Sequence, residues 1–215
     1  METITKFSPT ELDIIKEIIS IAFSKSADSF ALMAKQKILI SYADLQFTQP
    51  PKVLINSDYD PKEELITVIS DLIGDLTGKI ILIFNKTDRQ NLVKSCMDME
   101  YTEDEEFKKM EAAFLLEFGN ILTGSIVTQF SNIFHLKMYG KVPFIQSGLI
   151  TKIMDFVTKD CELNSSMILT IQTEFVIKNI KLRPHLLLIF DETSLDKIQD
   201  IISNYDMNKK VLFSL

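Results

Sequence analysis

Two cysteines in 215 residues, Cys96 and Cys161, are too few and too far apart for a disulfide framework. Neither belongs to a CxxC pair that would point to zinc, so each reads as a buried, reduced thiol. The only two histidines, His135 and His185, fall at expected strand starts without ligand spacing, and no metal site is expected in this chain. No GxxxxGKS/T, GxGxxG after a strand, HExxH or GxSxG occurs, which removes the phosphate-loop, dinucleotide, zinc-protease and serine-hydrolase readings. A basic excess is also missing. With 23 Lys and Arg against 30 Asp and Glu the net charge is -7, the wrong sign for neutralising nucleic-acid phosphates. The opening METITKFSPTELD lacks the basic stretch and apolar core of a secretory signal. No uninterrupted apolar run approaches the roughly 18 to 20 residues of a membrane span. A cytoplasmic protein without membrane insertion is expected, with a protein or small molecule as its partner.

What is present is ample apolar surface. Hydrophobic residues make up 46% of the chain, enough for a core without staples, and the 15 Phe and 9 Met read as core filling. Ser8, Pro9 and Glu11 give a first long helix its cap, first-turn proline and reaching acid, and the apolar pattern runs to about Ala34. Thr102 with Glu105 is expected to do the same for a second long helix ending near Phe134. The runs QKILISYADLQF, PKVLIN, ELITVISDLIG and KIILIF read as strands, answered in the second half by HLKMYGKVPFI, LITKIMDFV, SMILTIQTEFVI and HLLLIF. Ile81-Leu82-Ile83-Phe84 corresponds to Leu187-Leu188-Ile189-Phe190, and Thr87 and Thr193 are each expected to cap the short helix that follows. Two repeats, about 8–97 and 102–205, share this order. No flexible linker divides them, so an α/β (α+β) fold is predicted: one domain over 1–215, pseudo-two-fold, with the long helices packed on β-sheet.

On a helix at about 100° per residue, Ala113, Glu117, Asn120, Gly124, Thr128 and Ser131 share one stripe. Leu115, Phe118, Leu122, Ile126 and Ile133 fall roughly opposite, as the packing face. A Glu and an Asn three apart on a helix are ordinarily a solvated face. Gly124 costs the helix about 1 kcal/mol relative to Ala, which close approach of another surface would justify. The longer pattern Glu117-x2-Asn120-x22-Pro143, inside LLEFGNILTGS, resembles the signature of the CheC/CheX/FliY chemotaxis phosphatases. The internal repeat is similar to the two-copy build of CheC-type members. In the first copy, Asp13-x3-Glu17-x2-Ser20-x22-Ala43, Asp13 and Glu17 match, whereas Ser20 and Ala43 stand where the family has Asn and Pro. Ala113 stands where the family often has Asp or Ser. The resemblance runs from about Thr10 to Tyr205.

The resemblance implies a phosphatase acting on a phospho-aspartyl, CheY-like response regulator, with Glu117 and Asn120 as the working residues and Glu17 with Ser20 as a degenerate second site. It implies no cofactor in this chain, because Mg2+ and a lysine belong to the partner. An acyl phosphate is already reactive, so positioning a water in line with the phosphorus is most of the task. A carboxamide offers both a donor and an acceptor for this, and Glu117 would meet the partner's lysine. Ser20 is shorter and lacks the planar amide, so the first site is expected to be weak or dead. A different class stays open: a non-enzymatic adaptor that binds a response regulator or a CheD-type receptor deamidase. Against it stands the retention of Asn120 beside Glu117 and Pro143. A flagellar-switch component like FliY is expected to need a further C-terminal domain, for which a chain ending at Leu215 leaves no room.

Overall fold

A computed structural model describes residues 7–48, 59–97, 99–102, 104–160, 167–178 and 180–208, so the expected strand PKVLIN and Cys161 lie outside the described residues. The elements run α1 (Pro9–Ala34), β1 (Ile38–Thr48), β2 (Glu64–Gly74), β3 (Gly78–Phe84), α2 (Lys86–Met97), α3 (Glu105–Phe134), β4 (Met138–Gly140), β5 (Phe144–Leu149), α4 (Ile150–Asp160), β6 (Met167–Ile177), β7 (Ile180–Leu182), β8 (His185–Phe190) and α5 (Glu192–Asn208). The strands join in one antiparallel sheet of order β1-β6-β8-β3-β2-β4, with β5 also on β2 and β7 on β6.

The continuous apolar runs KIILIF and HLLLIF are the central strands, and both of their faces are buried. Ile80, Leu82, Phe84, Leu186, Leu188 and Phe190 pack into the core beneath the long helices α1 and α3. Ile81, Ile83, Leu187 and Ile189 pack on the opposite face, against Ile153 and Met154 of α4. Each such buried side chain contributes about 1.5–3 kcal/mol relative to exposure. Ile81 stands directly opposite Leu187, its counterpart in the repeat, and the flanking pairs Ile80–Leu188 and Leu82–Leu186 exchange under the same correspondence. The pseudo-two-fold axis therefore passes through the Ile81–Leu187 pair, as the repeat predicts.

Four local expectations are corrected. LITKIMDFV is not a strand: Ile150, Ile153 and Met154 follow the i, i+3, i+4 spacing of a helix face and bury on the sheet as part of α4. Thr87 and Thr193 lie inside their helices. The caps are Asn85, which accepts the Asp88 N–H at 2.7 Å, and Asp191, which accepts the Ser194 N–H at 2.7 Å. Asn and Asp are the stronger caps, and they stand where the chain leaves β3 and β8. Asp104, accepting the Phe107 N–H at 2.8 Å, caps α3, and Thr102 donates to the Asp104 carboxylate instead. His135 does not begin a strand. It ends α3 in the left-handed conformation at φ 54°, just as Lys35 ends α1 at φ 52°. His185 does begin β8.

By length and composition α3 could cross a membrane, with a hydropathy of 1.3 over its most apolar window. This is weak evidence, because its apolar side (Leu115, Phe118, Leu122, Ile126, Phe130) is consumed in the core beneath it.

Candidate functional site

The helix α3 is held by one side and leaves the other to solvent. Phe118 stacks on Phe30 of α1 at 4.1 Å between ring centroids and meets Phe84 and Phe175 at 5.9 and 5.2 Å. Each aromatic contact adds about 0.5–1.5 kcal/mol to the burial itself. Gly119 rests on β2 so closely that an added Cβ would stand 2.5 Å from Cγ1 of Val68. One turn on, the buried Thr123 hydroxyl donates to Ser70 Oγ at 3.2 Å, and its methyl carbon would be 2.7 Å from a Cβ built at Gly140 of β4. Near the helix start the buried Glu111 carboxylate receives Arg89 Nη1 at 3.0 Å, which ties α2 to α3.

Opposite these anchors, Ala113, Glu117, Asn120, Gly124 and Thr128 are all exposed. Glu117 and Asn120 are neighbours on this face, one helical turn apart. Neither side chain makes a hydrogen bond or ion pair with any described residue. Nothing lies within 4 Å of a Cβ built at Gly124, so no contact inside the molecule requires a glycine there. Gly140, which leads into Lys141–Pro143, lies against Thr123, one helical turn beyond Asn120. Pro143 is buried and separates β4 from β5. Val142 beside it is 88% exposed. Lys141 holds the break in place: its N–H donates to Asp71 O at 2.8 Å and its ammonium lies 3.6 Å from the Asp71 carboxylate. Burial works to raise the Asp71 carboxyl, but the Lys79 bond and the charges of Lys79 and Lys141 outweigh it and hold it below the usual carboxylate range.

In the first half Glu17 and Ser20 are exposed at the matching positions of α1. The Ser20 hydroxyl is spent on its own helix, donating to Lys16 O at 2.9 Å, and Lys16 pairs with Asp13 at 3.4 Å. Ala43 is the extra residue of a bulge in β1, between Tyr42 and Asp44.

A cleft of about 540 Å³ opens near the start of α3, lined by Glu63, Lys86, Arg89, Tyr101, Lys108 and Glu111 among others, and it contains neither Glu117 nor Asn120. Among the described residues no three His, Cys, Asp or Glu side chains gather as a metal site. The anchors Glu111, Gly119 and Thr123 escaped the sequence reading. A glycine in mid-helix directly before Asn120 was the available signal.

Residues 110–146, which span Glu117, Asn120 and Pro143, match the CheC-like family. FliY of Thermotoga maritima has the same fold, with a TM-score of 0.70 at 17% identity over 93% of this chain and 99% of that one. A chain of the CheX–CheY–BeF3–Mg2+ complex from Borrelia burgdorferi gives 0.51 at 22% over 79% and 96%. A chain of the FliG–FliM complex from H. pylori gives 0.64 at 12% over 90% and 100%.

Proposed function

The helix-segment match and the shared fold support the CheC/CheX/FliY family for this chain, and from that premise we propose that it hydrolyses the aspartyl phosphate of a CheY-like response regulator in chemotaxis signalling. The observation that carries the reading is the exposed, unpartnered Glu117–Asn120 pair on a helix whose other side is fixed by Phe118, Gly119 and Thr123. The Asn120 carbonyl oxygen accepts a hydrogen bond from the attacking water and its NH2 donates toward a phosphoryl oxygen, which aligns the water with the phosphorus. The new bond joins water oxygen to phosphorus, the aspartyl O–P bond breaks with its electron pair left on the aspartate carboxylate, and inorganic phosphate leaves with both of the water's protons. Glu117 pairs with a lysine of the regulator and fixes the register. The regulator's own Mg2+ supplies charge neutralisation at the phosphoryl oxygens. Glu17 and Ser20 form a degenerate second site, and the reaction belongs to the cytoplasm.

A second reading, an adaptor that binds a regulator or a CheD-type deamidase without turnover, draws support from the shared fold with FliM, which is found in complexes with FliG and SpeE. The deciding experiment follows decay of each CheY-like regulator of the source organism, charged with acetyl phosphate and Mg2+, with binding measured separately. Accelerated decay that Asn120→Ala abolishes while binding persists is the expected result. Binding without acceleration leaves the adaptor, and neither effect sinks both readings.

A further inference from the structure

We infer that Gly119 and Thr123 are positioning residues: they seat α3 directly on the sheet, and the depth of that seat sets where Asn120 stands relative to Lys141–Pro143 and to a docked regulator. The inference rests on the assignment of Glu117 and Asn120 above. Both contacts are tight and both lie within one turn of the pair: the Gly119 approach to Val68, and Thr123 between Ser70 and Gly140. They couple the helix to β2 and to β4, the strand that leads into the Pro143 break. A shift of α3 away from β2 therefore changes the distance between Asn120 and that break.

The first half shows what happens without the seat. The helix positions of Gly119 and Thr123 are taken by Ile19 and Phe23, both fully buried. Through the axis at Ile81–Leu187, the strand positions of Val68 and Ser70 become Leu169 and Ile171. Volume has grown on both sides of the contact. Correspondingly, α3 comes close to the backbone of β2, while α1 makes no comparable approach to β6. Ser20 thus differs from Asn120 in the depth of its helix as well as in its chemistry, and Ser20→Asn alone leaves the first half inactive.

The test uses the full chain with a CheY-like regulator charged with acetyl phosphate, and it compares Gly119→Ala, Val68→Ala, the double variant and Val68→Ile. Unfolding midpoints are recorded beside kcat and KM. Gly119→Ala is expected to lower kcat about tenfold with KM held within about twofold, since sub-ångström misplacement acts on the oriented step. Val68→Ala removes the carbon that an added Cβ meets, so the double variant should recover turnover to within about threefold of Val68→Ala. Val68→Ile pushes on α3 from the strand side and should lower kcat several-fold even if Gly119→Ala fails to fold. Full turnover in folded Gly119→Ala and Val68→Ile overturns the inference, as does a folded double variant that stays slow. Full turnover in Asn120→Ala would instead remove the assignment on which the inference depends.

Discussion

The two halves of this molecule share a frame and differ in how they fill it. Both long helices end in a left-handed cap, and the residue beyond each reaches back in the same way, Gln36 N–H to Ala31 O and Leu136 N–H to Ser131 O. Both helices expose a glutamate at the same place, Glu17 and Glu117. Around these fixed points the chemistry separates. The second half spends its mid-helix on Gly119, Asn120 and Thr123, and the first on Ile19, Ser20 and Phe23. In the strand that follows each long helix, a bulge at Ala43 becomes a full break at Pro143. The comparison teaches that the frame tolerates closure by apolar volume on one side and a close, polar seat on the other. A face for a partner can thus be tuned without changing the strand order.

The sharpest way to break the comparison is to exchange what the halves do. Asn120→Ala should lower regulator dephosphorylation about 10²-fold, while Ser20→Ala and Glu17→Ala leave the decay of phosphorylated regulator within about twofold. Glu117→Ala should weaken binding as well as turnover. Equal damage from Ser20→Ala would show two working sites. Next in size are the helix-start glutamates. Glu111→Ala strands the buried Arg89 charge and should cost about 3–5 kcal/mol in chemical denaturation. Glu11→Ala loses only its capping bonds to Ser8 and its 2.6 Å bond from Ser203, about 1 kcal/mol. Of similar size but opposite sign is Gly124→Ala, which should stabilise the isolated protein by about 1 kcal/mol and weaken regulator association, whereas Ser24→Ala, at the matching exposed position of α1, changes stability by under about 0.5 kcal/mol.

The smallest effect concerns a matched pair of acceptors. Asp88 accepts the Arg183 N–H at 3.1 Å, and Ser194 accepts the Thr77 N–H at 2.9 Å at the related position. Burial pushes the Asp88 carboxyl up, partly offset by the Arg183 bond and aided by the charge of Glu63. An acid whose folded pKa is raised binds its proton more readily folded than unfolded, so its contribution to stability falls as pH rises from the unfolded value near 3.9 through the folded one. Asp88→Asn keeps the acceptor and removes that loss. A rise of about 1 °C in the unfolding midpoint at pH 7, vanishing below about pH 4, is the expected outcome of thermal scans.

The repeat and the exposed stripe of α3 were legible because each rests on local periodicity: Glu117, Asn120 and Gly124 lie where 100° per residue puts them. LITKIMDFV was misread because a short apolar run satisfies strand and helix patterns alike, and packing of Ile153 and Met154 on the back of the sheet decided it. The seat at Gly119 and the Arg89–Glu111 pair join positions far apart in the chain, Val68 to Gly119 and Arg89 to Glu111. No periodicity within one segment could bring them together.

The seam between β3 and β8 has a consequence for biosynthesis. Ile80 stands opposite Leu188, so the middle of the sheet joins strands about 100 residues apart, one from each half of the chain. Until β8 has been synthesised, β3 presents an unpaired edge with the run Ile80-Ile81-Leu82-Ile83-Phe84, the kind of apolar edge that recruits other chains. Such long-range pairing slows folding, because loop closure is entropically costly before any contact rewards it. The nascent first half is therefore a client for whatever shields apolar strand edges at the ribosome, and it becomes independent only when His185–Phe190 emerges to cover it.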